Sequence, residues 1–253
     1  MARFETFAVP GMPMVEPGDD LAGQIQTTLA DAAETLRDGD IVCLAQKIVS
    51  KAENRLFKLA DVNPGAAAIA LAEETEKDPR LVELILAESD EVLRKKPGVL
   101  IVRHKLGIVG ANAGIDQSNV DQAGGEVALL LPEDPDRSAA RLRAALQQAT
   151  GKQIAVVITD SHNRPWRLGT VGTAIGCAGL MSLDDHRGGE DMYGRELKVT
   201  LINRADAIAT AATLVMGETT EALPLAIVRG FPVDSIHQDA TAIVRPLAED
   251  LFR

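Results

Sequence analysis

Ile154-Ala-Val-Val-Ile-Thr159 is the segment that most narrows what this chain can become. A short β-branched run flanked by polar and glycine-rich sequence reads as a buried strand, about 4–8 residues being the usual length. The run gives way to Asp160-Ser-His-Asn163 and then to Arg164-Pro-Trp-Arg167. Polar side chains gathered where a buried strand ends are a common way to mount a metal or anion site on a rigid scaffold. The chain's one Trp sits here among arginines, and Gly169–Gly179 follows as a glycine-rich tail where backbone can approach a ligand closely. The plain structural alternative for the stretch is a strand, a loop and a glycine-packed helix.

Around that segment the pattern is mixed. Val9–Met14 is a loop with two prolines and a glycine. Asp19 or Asp20 caps a helix expected to reach about Arg37, with Gly39 ending it. Ile41–Ala45 reads as a strand. Helices are expected at about 65–77 and 80–93, separated by Asp78-Pro79. Val99–Val102 and Gly107–Gly110 look like hairpin arms, and Ala111–Asn119 is a polar loop. Val127–Leu131 is a further strand. Asp134-Pro135 opens a helix that runs to Thr150, with Gly151 beyond its end. Leu183–Arg195 is a polar loop, Leu197–Ile202 a strand, Ala205–Met216 a small-residue helix stopped by Gly217, and Pro224–Val228 a strand. Strict βαβ alternation is missing, so the fold class is α+β, with mixed sheets packed with helices. There is no repeat, linker or low-complexity segment. We therefore expect one unit over 1–253, with two intimately packed lobes as the variant.

Aromatics make up only 3% of the 253 residues, so Leu, Val, Ile and Ala must fill the core. No apolar run approaches the roughly 18 residues of a membrane span, and the N-terminus lacks a signal-peptide pattern. Cys43 and Cys177 lie in apolar stretches and read as free buried thiols rather than a disulfide or zinc site. A cytoplasmic location is expected. Lys and Arg number 26 against 37 Asp and Glu, leaving a net charge of −11. That disfavours nucleic acid and acidic membranes as partners. Small anionic ligands would need local lysines or carboxylate-bound metal ions.

Asp116, Asp160 and Glu218 each sit beside glycine or small polar residues at an element's end. Carboxylates from separate elements that converge can hold hard divalent cations, and Ser161 adds a hydroxyl. Taken singly, each acid is more often a cap or turn residue. Lys47 and Lys51, just beyond a strand, could neutralise phosphates, although a lone Lys is usually a solvated surface group. There is no Gly-x-x-x-x-Gly-Lys-Ser/Thr loop and no Gly-x-Gly-x-x-Gly spacing, so neither a P-loop nor a Rossmann site is expected. Of the four histidines only His162 adjoins the suspected site. A Ser-His nucleophile on Ser161 is disfavoured, because neighbours on an extended chain point opposite ways.

Several blocks in order carry a resemblance: Gly11-Met-Pro-Met-Val-Glu-Pro-Gly-Asp-Asp20, Ser50-Lys-Ala-Glu53, Gly114-Ile-Asp-Gln-Ser-Asn119, Thr159–Arg167, Tyr193-Gly-Arg-Glu-Leu197 and Leu214-Val-Met-Gly-Glu218. Together they resemble the coenzyme F420-0:L-glutamate ligases, the γ-glutamyl ligase family of deazaflavin coenzyme biosynthesis, over almost the whole chain. The resemblance implies a family-specific α+β ligase fold and homodimers. It implies GTP-dependent condensation of L-glutamate with the terminal carboxylate of the coenzyme precursor through an acyl phosphate, with further γ-linked glutamates as an extension. It also implies two divalent cations, Mg²⁺ or Mn²⁺, with K⁺ as an optional further ion. By motif, Asp116 and Asp160 would hold the first metal, and Ser161 and Glu218 the second. Gly11, Met12, Pro13, Met14, Gln46, Lys47, Lys51, Asn119 and the loop Met216, Gly217, Glu218, Thr219, Thr220, Glu221, Ala222, Leu223 would contact GTP. Arg164, Arg167, His186 and Arg195 are candidates for anion contacts only.

The chain departs from the family's common pattern at Ser161 (often Thr), Asn163 (often Gly), Gln46-Lys47 (often Ser-Thr) and Glu218 (often Gln). The C-terminal nitroreductase-like module of some members is not expected. A metal-dependent phosphohydrolase and a noncatalytic deazaflavin-binding protein are the rival classes.

Overall fold

The computed structural model describes residues 3–251 apart from 121, 123, 164, 165 and 233–236. In chain order its elements are β1 (Glu5–Ala8), α1 (Leu21–Asp31), β2 (Ile41–Ala45), α2 (Gln46–Ala52), β3 (Leu56–Lys58), α3 (Ala66–Thr75), α4 (Pro79–Ala87), β4 (Ser89–Lys96), β5 (Val99–His104), β6 (Val109–Ala111), β7 (Val127–Leu129), α5 (Pro135–Thr150), β8 (Ala155–Asn163), β9 (Thr170–Ala178), β10 (Leu183–Asp185), β11 (Leu201–Asn203), α6 (Arg204–Met216) and β12 (Leu225–Arg229). The class is α+β with mixed sheets, as the sequence pattern implied. The chain divides into two compact units. Unit 1 comprises Met1–Met14, Asp20–Gln46 and Asp134–Arg245; unit 2 comprises Val15–Asp19, Lys47–Glu133 and Pro246–Arg253.

Unit 1 is built on the sheet β1-β12-β2-β8-β9. β2 and β8 run parallel, and the other neighbours are antiparallel. Ile41–Leu44 and Ala155–Ile158 are fully buried, which explains their unbroken apolar sequence: both faces of the parallel pair are covered. One face carries Ile41, Cys43, Val157 and Ala226 against Ala205, Ala209 and Ala212 of α6. α5 packs on β8 and β9 as well, and α1 packs on α5.

Between Ile158 and Thr159 the β8–β9 register slips: Ile158 faces Gly176 whereas Thr159 faces Ala174. Ile175 is the extra residue, a bulge that reverses the parity of β9. Gly172 therefore turns to α6, where an added Cβ would lie 2.6 Å from the Ala209 carbonyl oxygen. Gly176 turns to α5, where it would lie 2.4 Å from the Pro135 carbonyl. The glycine-rich tail thus folds as a strand rather than a glycine-packed helix, and its glycines admit two helices closely within one chain.

The helix ends show where local sequence is sufficient. α5 begins and ends as read: the Asp134 carboxylate accepts from Arg137 N at 2.9 Å, Pro135 starts the helix, and Gly151 closes it at φ 69. α1 stops at Asp31, not near Arg37. Ala33 takes φ 56, and Glu34 N donates back to Leu29 O at 2.9 Å, the doubly bonded reversal that glycine usually makes. With alanine in that place, the sequence gives no stop signal.

Arg229 on β12 ties the following loop to the sheet. Its guanidinium donates to both carboxylate oxygens of Asp40, each at 2.9 Å, and to Thr35 O at 3.0 Å. Asp40 is wholly buried. Its carboxylate, and more weakly that of Glu34, holds the Arg229 guanidinium above its usual range against the opposing effect of burial. Cys43 and Cys177 are free and buried; burial pushes the Cys43 thiol up to about 12 and the Cys177 thiol up as well, so neither is a ready nucleophile.

Unit 2 holds the sheet β4-β5-β6 and the pair β3–β7. Its core gathers Leu59, Ala68, Val82, Ile85, Leu100, Val102 and Leu130. The helix expected over 80–93 ends at Ala87, and Ser89–Lys96 pairs antiparallel with β5. β4 is polar and largely exposed on both faces, so it shows no two-residue alternation, and its partner decides its conformation.

Candidate functional site

β8 runs four residues past the point where the sequence reading ended it. Its pairing with β2 stops at Thr159, while pairing with β9 continues through Asn163. Among the described residues, Asp160–Asn163 are thus paired along one side only. The motif lies on a projecting two-stranded ribbon rather than in a loop, so strand alternation decides where each side chain goes. Thr159 and Ser161 share the α6 face: Thr159 Oγ1 lies 3.5 Å from Thr213 Oγ1, and Ser161 Oγ donates to Glu218 Oε2. Asp160 and His162 share the opposite face, with His162 Nε2 3.1 Å from Asp160 Oδ2.

Glu218 is carried there by the end of α6. Gly217 takes φ 76, which ends the helix, and an added Cβ at that position would strike Glu221. The Glu221 carboxylate accepts from Thr219 N at 2.8 Å. That backbone contact leads those that hold the exposed carboxyl below its usual range. Ala222 adopts φ 53, and Ala45 N donates to Pro224 O at 2.9 Å, tying the loop's far end to β2.

The Gly11–Met14 segment leads from β1 toward α1. Gly11 has φ 90, and Thr28 Oγ1 donates to Met12 Sδ at 3.4 Å. Gly11 and Pro13 line a cleft of about 440 Å³ with Asp20, Gln24, Thr27 and Asp31. Gln46, at the first position of α2, is buried.

In unit 2, Lys47 and Lys51 lie four apart on α2 and face one loop. Lys47 Nζ reaches Asp116 Oδ2 at 2.6 Å, and Lys51 Nζ donates to Asn119 O at 3.2 Å. Asp116 is anchored by reciprocal backbone bonds with Leu129, and its carboxylate accepts from Ser118 N and Oγ at 2.7 and 2.8 Å. Burial pushes the Asp116 carboxyl up, but the Lys47 ammonium and the Ser118 donors together outweigh it and hold the group below the usual range.

Three carboxylates were expected from separate elements. Asp160 and Glu218 belong to unit 1 and Asp116 to unit 2. Among the described residues, no group of three or more His, Cys, Asp or Glu side chains forms a cation site of its own. The donors at these positions are carboxylate and hydroxyl oxygens, the set preferred by Mg²⁺ and Mn²⁺, which are commonly held by one or two carboxylates plus phosphate oxygens. The residues present fit such ions. Of the arginines and histidine considered for anions, Arg167 and Arg195 are exposed, His186 lies 3.2 Å from Asp184, and Arg164 is outside the described residues. Sequence reasoning missed Ser118 and Thr173 and gave His162 no role. An extended reading of 160–163 would have set His162 beside Asp160.

The architecture and this oxygen-donor chemistry fit the α+β ligases that are neither P-loop nor Rossmann proteins. The chain belongs to the F420-0:gamma-glutamyl ligase family, whose family model matches residues 11–230. It is 45% identical to a coenzyme F420:L-glutamate ligase of Methanothermobacter thermautotrophicus, over 97% of both chains. Similar proteins of the same name occur in Methanopyrus kandleri, 43% identical over the full length of both, and in Archaeoglobus fulgidus, 41% identical over 99% of this chain and 97% of that one.

Proposed function

We propose that this chain joins L-glutamate to the terminal carboxylate of coenzyme F420-0, driven by GTP, and can extend the product by further γ-linked glutamates. The observation that carries the reading is the meeting of Ser161 with Glu218 at the end of a buried strand, in a chain that matches glutamate ligases along its length. In the proposed reaction a precursor carboxylate oxygen attacks the γ-phosphorus and GDP leaves. The amine of glutamate then attacks the acyl carbon, phosphate departs, and the amine proton passes to solvent or a nearby base. Asp116, Asp160, Ser161 and Glu218 are the proposed cation ligands. The bound Mg²⁺ or Mn²⁺ ions would screen the anionic reactants from one another and stabilise charge on the transferring phosphoryl group. Gly11–Met14, Gln46, Lys47, Lys51, Asn119 and Met216–Leu223 are the proposed GTP contacts, Lys47 and Lys51 acting as point charges on phosphate. Mass spectrometry of precursor incubated with GTP, L-glutamate and Mn²⁺ or Mg²⁺ tests the reading. A gain of one glutamate is expected; GTP turnover with no such gain would identify a phosphohydrolase instead.

Lys51→Ala should raise KM for GTP roughly tenfold while moving KM for glutamate little. Loss of one charge-assisted hydrogen bond is worth about 1.5 kcal/mol. Equal, small changes in both constants would return Lys51 to a surface role. A homodimer is proposed as well. Trp166, Leu168, Met192, Tyr193 and Val199, all in unit 1, are each more than 80% exposed, and a second copy would shield them. Light scattering should then give twice the 26.9 kDa chain mass. Among the described residues no helix is long and apolar enough to cross a membrane.

A further inference from the structure

Asp160 is held from one side by a relay of two side chains. His162 Nε2 lies 3.1 Å from Asp160 Oδ2, and the other ring nitrogen, Nδ1, lies 2.7 Å from Thr173 Oγ1. Thr173 is the cross-strand partner of Asp160, so all three side chains share one face of the β8–β9 ribbon. The Asp160 and His162 side chains are only 13% and 15% exposed, and Thr173 is buried. Hydrogen bonds in such a water-poor setting are stiffer than exposed ones.

The proton inventory leaves two workable arrangements. In one, the Thr173 hydroxyl donates to Nδ1, and the ring's single proton sits on Nε2 and donates to Asp160. In the other, the ring carries both protons, Nδ1–H donates to Thr173 Oγ1, and the hydroxyl proton turns to the Asp160 carbonyl oxygen at 3.3 Å. Both aim an N–H at Asp160 Oδ2. The remaining tautomer would set a ring lone pair against a carboxylate oxygen at hydrogen-bond distance. The register of the two strands therefore selects the donor.

We propose that His162 is a positioning residue: it fixes the Asp160 carboxylate with Oδ2 engaged, so that Oδ1 is the oxygen presented to a divalent cation. The proposal rests on the reading of Asp160 as a cation ligand. Hydrogen bonds that orient a ligating group are worth about 10- to 100-fold in metal affinity. The cause is order: an unsupported carboxylate must lose its rotamer freedom when the ion arrives.

The test is Mn²⁺ titration of the full chain at fixed pH, with free ion followed by electron paramagnetic resonance. His162→Phe keeps a ring but removes the donor, and should weaken binding about tenfold or more with circular dichroism unchanged. His162→Gln returns an amide N–H within reach of Asp160 and should recover most of that affinity. Asp160→Asn separates the two levels of the argument. If Asp160→Asn binds Mn²⁺ like the wild type, or the wild type binds none, Asp160 is not a preformed ligand and the underlying reading falls with the proposal. If Asp160→Asn loses the ion while His162→Phe keeps wild-type affinity, the positioning role alone is overturned. Equal weakening by the Phe and Gln variants also overturns it, because the ring would then act through shape.

Discussion

Asp160→Asn is expected to abolish glutamate addition while leaving the fold intact. The substitution removes one negative charge at nearly constant shape. The amide oxygen can still accept from His162 Nε2, which now stands 3.1 Å from Oδ2, so the β8–β9 ribbon keeps its internal bonding. What is lost is a hard anionic donor: with the amide oxygen held by His162, an NH₂ group stands in place of Oδ1, and it cannot ligate a divalent cation. A loss of roughly 10²–10³ in rate is the scale for removing one preorganised electrostatic partner from a water-poor site. Circular dichroism and mass-spectrometric product assays on the purified variant decide the matter. Near-wild-type turnover at low Mn²⁺ would remove Asp160 from the cation ligands.

The largest stability effect is expected at β12, on the far side of β2 in the same sheet. Arg229→Ala leaves the Asp40 carboxylate buried without the guanidinium that donates to both its oxygens; among the described residues it keeps the backbone donor Arg37 N at 2.8 Å. Breaking a buried ion pair by removing one partner costs about 3–5 kcal/mol, because the remaining charge is uncompensated. The substitution also removes the donor to Thr35 O and the stacking of the guanidinium over Phe7, 5.1 Å from the ring centroid. Urea denaturation should show the midpoint fall with little change in slope. A shift below about 1 kcal/mol, the value of an exposed pair, would mean that water reaches Asp40 readily.

Legibility varied with how local the determining physics was. α5 could be read from end to end because its cap, first-turn proline and terminal glycine all lie within its own sequence. β2 and the first half of β8 were legible because a strand buried on both faces has no polar positions to confuse its pattern. β4 was not, since an exposed strand is defined by its partner, and the same polar run satisfied a helical reading. The early end of α1 was hidden by an alanine in the left-handed position, where the usual signal is glycine. At the candidate site, residue types and motif order named Asp116, Asp160, Ser161 and Glu218 as candidates but carried no information on whether they meet. Their immediate partners depend on strand register and on Lys47 folding back to a loop 69 residues away, which no local pattern encodes.

The bulge at Ile175 makes β9 tolerant of a loss but not of a gain. Ile175 is the extra residue, so removing it would restore plain alternation and leave Ile158 opposite Gly176 and Thr159 opposite Ala174. Gly172 would still turn to α6 and Gly176 to α5. One residue inserted between Thr173 and Cys177 with the bulge kept would instead exchange the two faces over half the strand. Gly172 and Gly176 would then point to the same helix, bringing a residue with a side chain against a helix backbone that now admits none. Insertions among natural relatives should therefore gather in the turns around Gly188 and Gly194, both left-handed and without a close neighbour in the space a side chain would take, and spare residues 170–178.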